Sequence, residues 1–134
     1  MNVVLDAYAV IAFFRDEVGA EIVEDSFLDE RSTCLIHSIN LCEVYYDFLR
    51  MSGEEAAQSM VRDLQGLGVI IRNDLTIDFW QQAGQYKAVI KRISLADCFA
   101  LTLANQESAT LLTSDRKEFE PIIPLNICQI HFIR

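Results

Sequence analysis

Asn-Val-Val-Leu-Asp-Ala-Tyr-Ala-Val-Ile-Ala-Phe-Phe, residues 2–14, decides how this chain is read. Val3-Val4-Leu5 is too short and too apolar for anything but a buried strand, and Asp6 closes it. Ala7 to Phe14 then continues without a turn residue, which suits a helix lying on the sheet that the strand enters. A fully apolar strand running straight into a helix is the opening of an α/β fold with a parallel sheet.

Outward from that segment the same alternation continues. A helix is expected from about Val18 to Leu28, where Val18, Ile22 and Val23 keep helical spacing, and a strand at Thr33 to Ile36. A helix from about Ile39 to Met51 ends at Ser52-Gly53. Ser52 and Glu55 have the spacing of a capping box for the next helix, whose apolar line runs Ala56, Met60, Val61, Leu64. Val69 to Ile71 reads as a third strand, and Ile77, Trp80, Gly84 and Ala88 trace one face of a further helix. Ser94 to Asn105 is helical, Thr110 to Thr113 a fourth strand, and Asn126 to Ile130 a fifth after Pro121 and Pro124. The expectation is a three-layer α/β/α fold with a parallel five-stranded sheet, formed by residues 1–134 as one domain.

Composition excludes several classes. Hydrophobic residues are 51% and charged residues 23%, so a disordered tail is ruled out. The longest apolar run, Ala7 to Phe14, is too short to cross a bilayer, and the N-terminus has no basic start, so neither membrane nor secretion is expected. Cys34, Cys42, Cys98 and Cys128 are scattered without a C-x-x-C pair; reduced core thiols in the cytoplasm are the better reading than a zinc site. His37 and His131 have no ligand-like spacing. The formal charge of −9 argues against simple nucleic-acid binding unless metal ions neutralise carboxylates and a local group of Lys and Arg faces the substrate.

Four carboxylates carry the chemistry. Asp6 and Asp115 follow expected strands, and Glu43 and Asp97 lie near expected helix starts, so all four belong to the carboxyl edge where α/β sheets bind ligands. Taken singly, each also reads as a helix cap. Ser94 with Asp97 and Asn40 with Glu43 have capping-box spacing, and Asp6 and Asp115 suit plain N-caps. The setting favours a site. Asp6, Glu43 and Asp97 interrupt apolar stretches, and several buried carboxylates call for a divalent cation. Oxygen-rich carboxylate sites suit Mg2+ or Mn2+, which support hydrolysis of phosphoryl groups.

These motifs in this order resemble the PIN domain: the strand ending in Asp6, Ser38-x-x-x-x-Glu43, Leu95-Ala96-Asp97, and Leu112-Thr113-Ser114-Asp115 with Phe119. Length and order resemble the VapC-like toxins of bacteria and archaea. The resemblance implies a Mg2+- or Mn2+-dependent endoribonuclease that cleaves RNA, a homodimer, and a cognate antitoxin partner. It implies Asp6, Glu43, Asp97 and Asp115 as catalytic, metal-holding residues, Asp115 acting through a metal-bound water, with Thr113 and Ser38 supporting them. Where the family commonly has Ser, Thr or Asn, this chain has Tyr8, which puts substrate access in question. An antitoxin is expected to dock an Arg- or Lys-bearing helix near Tyr8, Phe13 and Phe14, although these three suit the core equally. A catalytically inactive PIN-like or RNA-binding module is the alternative. A phosphatase or receiver-type domain lacks a well-placed Lys, and a DNA nuclease differs only in substrate.

Overall fold

A computed structural model describes residues 1–134. The first segment folds as its pattern dictates: Asn2–Leu5 is strand β1 and Ala7–Phe14 is helix α1. There follow α2 (Ala20–Leu28), β2 (Thr33–His37), α3 (Ser38–Ser52), α4 (Glu54–Gly66) and β3 (Ile70–Arg72). Then come α5 (Ile77–Val89), α6 (Leu95–Gln106), β4 (Thr110–Thr113) and the short α7 (Arg116–Phe119). A 3-10 turn, Glu120–Leu125, leads to β5 (Gln129–Phe132). All five strands are parallel, in the order β3-β2-β1-β4-β5.

Each strand divides its side chains between two cores. Val3, Leu5, Ile36 and Leu112 pack with Val10, Val23, Val44, Met60 and Leu64 on the face covered by α1 to α4. Val4, Leu35 and Leu111 point the other way, against Phe79, Phe99, Leu103 and Phe119. This alternation is the period-2 geometry of strands buried on both faces. Helix α6 is buried from Asp97 through Ala104, so its apolar run reflects packing on every side.

Five local readings of the sequence change. Helix α2 begins after Gly19 rather than at Val18, which is 73% exposed. Gly19 has φ +96°, and a Cβ there would collide with the Ile133 carbonyl, so the chain turns at the one residue that can. The Ser52–Glu55 capping box does not form. Ser52 is the last residue of α3, and Gly53 alone joins α3 to α4 with φ +91°, its N–H donating to Phe48 and Leu49 carbonyls. The buried line of α4 is Ala57, Met60 and Leu64, with Ala56 only half-buried. Helix α5 buries Phe79 and Ala83 and leaves Ile77 and Trp80 outside, because Phe79 stacks on His37 and Phe99. Strand β5 starts at Gln129, three residues later than expected, because Asn126 sits in the left-handed region and ends the 3-10 turn.

Candidate functional site

The strand order reverses between β1 and β4: β2 and β3 lie on one side of β1, and β4 and β5 on the other. Their carboxyl ends therefore open a crevice where crossover helices diverge. Asp6 follows β1 and caps α1, its Oδ1 accepting the Ala9 N–H at 2.8 Å. Asp115 follows β4 and caps α7, its Oδ1 accepting the Glu118 N–H at 3.1 Å. The cap reading of both residues is geometrically true. It does not compete with a site, because a cap bond takes only one of the lone pairs that a carboxylate offers.

Thr113 joins the two. Its hydroxyl donates to Asp6 Oδ2 and accepts the Asp115 N–H at 3.0 Å, so one buried Thr orients the Asp6 carboxylate and holds the backbone of Asp115 beside it. The Ser38 hydroxyl, at the first position of α3, bonds none of the acids. Asp97 enters from the first turn of α6. Ser94 Oγ accepts the Asp97 N–H at 3.1 Å, which is half of the expected capping box. The other half is made by Glu118, whose Oε2 receives the Ser94 N–H at a long 3.5 Å, so the Asp97 carboxylate is left for the crevice. The Asn40–Glu43 box is absent. His37 caps α3 instead, its Nδ1 accepting the Ile39 N–H while Nε2 lies 2.9 Å from the Asp74 carbonyl. Asn40 is fully buried and donates to the Ala96 carbonyl at 3.1 Å, tying α3, and with it Glu43, to the start of α6.

Carboxylate oxygens of Asp97, Asp115 and Glu118 lie within 4.8 Å of one another. Asp6 and Glu43 stand outside that tight group but share its field. Asp6 is pushed up to about 7: burial dominates and Asp115 and Glu43 add to it, against the Thr113 and Ala9 hydrogen bonds. Burial also raises Asp97 far above the carboxylate range, helped by its contact with Glu118 and the charge of Asp6. Glu43 rises through burial and then through Glu118, with Asn40 opposing. None of these five acids is paired with a Lys, Arg or His. The crevice thus concentrates negative charge that the protein itself does not neutralise, a donor set suited to a hard divalent cation.

Glu118 was missed in the sequence, although its spacing three residues after Asp115 on a helical turn was a readable signal. Tyr8, the second residue of α1 after the Asp6 cap, is 51% exposed. Its hydroxyl is pushed up first by burial and then by Asp115, Asp97, Glu43 and Glu118. Phe13 and Phe14 are largely internal: Phe13 meets Phe27 edge-to-face at 4.9 Å, and Phe14 meets Phe48 at 6.0 Å. A groove of about 900 Å3 lies over β4 and β5 beside α2 and includes none of these five acids.

A parallel sheet of this order with carboxylates at its reversal point defines an α/β domain of the PIN type. The family model for the PIN domain matches residues 3–122, and the chain belongs to that family. Its fold is shared with the DNA-bound VapBC of Salmonella typhimurium at TM-score 0.76 and 18% identity, over 100% of this chain and 99% of that one. VapBC2 of Rickettsia felis, bound to a promoter DNA fragment, aligns at 0.74 and 19% over 98% of both chains. VapC20 of Mycobacterium tuberculosis, a toxin that cleaves the sarcin-ricin loop, aligns at 0.66 and 12%, covering 81% of this chain and 86% of that one. No curated protein matches the chain in sequence. No helix is long and apolar enough to cross a membrane.

Proposed function

We propose that this chain is a divalent-metal-dependent endoribonuclease, the toxin of a toxin–antitoxin pair. One observation carries the reading: in a PIN-family chain, the carboxylates of Asp97, Asp115 and Glu118 converge within 4.8 Å, and no protein cation pairs with them or with Asp6 and Glu43. Asp97, Asp115 and Glu118 would hold Mg2+ or Mn2+, with Asp6 and Glu43 completing the acidic wall. Such an ion, when bound, lowers the pKa of a coordinated water and stabilises charge on a phosphoryl group under attack. The residues supply the rest. Thr113 orients the Asp6 carboxylate and holds the backbone of Asp115, the Ser94 cap holds the backbone of Asp97, and the Asn40 bridge ties α3, which carries Glu43, to the start of α6. The crevice opens beside exposed Tyr8, so a strand reaches it from solvent.

The toxin assignment draws on the neighbours, which come from VapBC toxin–antitoxin structures. We place the cognate antitoxin over this crevice, presenting Arg or Lys to its carboxylates, since a chain of charge −9 favours a cationic partner. A homodimer and a cytoplasmic site of action belong to the same reading. The test is growth. Inducing the wild-type chain alone arrests a bacterial culture, the Asp97→Asn chain does not, and co-expression of the neighbouring small open reading frame restores growth. Equal growth with both chains at equal expression refutes the toxin reading.

A further inference from the structure

A charge of −9 poses a problem for any protein that must hold a polyanion, and the distribution of its cations answers it. Arg15, Arg72, Arg116 and Arg134 are engaged by carboxylates, and Arg50 lies over the Tyr46 ring. Six basic residues remain: Arg31, Arg62, Lys87, Lys91, Arg92 and Lys117. Four of these six fall in two segments that border the acidic crevice. Lys87 closes α5, and its Nζ donates to the Lys91 carbonyl at 3.3 Å, shaping the turn into α6. Lys91 and Arg92 lie on that turn just before Ser94, and Lys117 lies on α7 beside Glu118. The hydrogen bond from Ser94 N–H to Glu118 Oε2 joins the two segments at the crevice, so these cations share one rim. Lys91, Arg92 and Lys117 are all exposed.

Tyr8 belongs to a different element. It is the second residue of α1, directly after the Asp6 cap, and half its surface is open. It stands two residues after Asp6 on the helix that starts at the carboxyl end of β1, which sets it at the edge of the same crevice. Exposed cations beside an exposed ring are the two components by which proteins hold single-stranded nucleic acid: phosphates on the cations, a base face on the aromatic. A duplex offers no free base face, because its bases are already stacked.

We propose that Lys91, Arg92 and Lys117 form a phosphate track for single-stranded RNA crossing the crevice, and that Tyr8 stacks on a base beside the scissile phosphate. The inference rests on the ribonuclease reading and names the residues of this chain that hold the strand. The cations also resolve the charge problem, since they offset the acidic crevice only where the strand must lie.

The experiment measures binding of a short single-stranded RNA carrying 2-aminopurine, in calcium, with the RNA checked intact on a gel. Affinity is followed against salt for the wild-type chain, Tyr8→Ala, Tyr8→Phe, and the triple variant Lys91→Gln, Arg92→Gln, Lys117→Gln. Three lost phosphate contacts flatten the slope of log K against log salt by about 2. Tyr8→Ala keeps the wild-type slope, weakens binding about 10-fold and relieves the 2-aminopurine quench, whereas Tyr8→Phe keeps both affinity and quench. A triple variant with the wild-type slope, or a Tyr8→Ala chain with unchanged quench, overturns the proposal. A wild-type chain that binds with these signatures yet cuts nothing in magnesium sinks the nuclease reading and leaves the track standing. One that binds no RNA overturns both.

Discussion

Replacing Asp6 by Asn should stabilise the metal-free protein, and the size of the effect follows from where Asp6 sits. The side chain is fully buried, and burial with its acidic neighbours moves its pKa from 3.8 to about 7. Each unit is worth about 1.4 kcal/mol, so carrying the ionised carboxylate costs the fold about 4 kcal/mol at pH 8. The sign is fixed by proton count. Between pH 3.8 and about 7 the folded state holds a proton that the unfolded chain has lost, so stability falls as pH rises through this window and levels off above it. From pH 5 to pH 8 this residue alone removes about 3 kcal/mol. Asn keeps an oxygen for the Ala9 N–H but disturbs the Thr113 hydrogen bond, a loss of about 1 kcal/mol. The net gain at pH 8 is about 3 kcal/mol, or about 10 °C in Tm for a chain of this length. Magnesium separates the two proteins. It stabilises the wild type by about 3 kcal/mol at a hundredfold excess over Kd, and does much less for Asp6→Asn. Thermal melts at pH 5 and pH 8, with and without magnesium, measure all of this. An apo Asp6→Asn chain that melts below wild type at pH 8 refutes the reasoning and leaves Asp6 as an ordinary cap.

Three further outcomes are expected. Glu118→Gln weakens Mn2+ binding about 10-fold by calorimetry with unchanged far-ultraviolet circular dichroism, because Glu118 belongs to the tight group of oxygens; unchanged affinity removes it from the site. Gly19→Ala loses about 2 kcal/mol or more in urea melts, since both its positive φ and the Ile133 carbonyl exclude a Cβ. Phe79→Ala costs about 3–5 kcal/mol and Ile77→Ala well under 1, which separates the inner from the outer face of α5 in the same assay.

Where the sequence was clear, one physical signal dominated. Val3-Val4-Leu5 and Leu111-Leu112 admit a buried strand alone, and the acids after them had to fall at the carboxyl edge. It was ambiguous where two patterns overlapped. Helix α5 carries two apolar stripes, and only the stacking of Phe79 against His37 and Phe99 selects the inner one. Asn40 had the spacing of a cap, but His37 one turn earlier supplies the acceptor, and Asn40 bridges to α6 across 56 residues. Such long-range partners leave no trace in local spacing. The spacing of Glu118 after Asp115 was readable, but its meeting with Asp97 and Ser94 from another helix was not. Tyr8 showed in the sequence as a departure from the family pattern, but that half of its surface is open to solvent did not.

The central claim is that this crevice holds a divalent cation and cuts RNA with it. The direct measurement is cleavage of a labelled single-stranded RNA by the purified chain in magnesium, in EDTA, and by Asp97→Asn in magnesium. Asn preserves the Ser94 cap, which uses the backbone N–H of residue 97, so circular dichroism and the elution volume should match the wild type. The account predicts cleavage in magnesium, none in EDTA, and a loss of at least about 100-fold in Asp97→Asn. Cleavage that persists in EDTA, or a folded Asp97→Asn chain as active as the wild type, contradicts it.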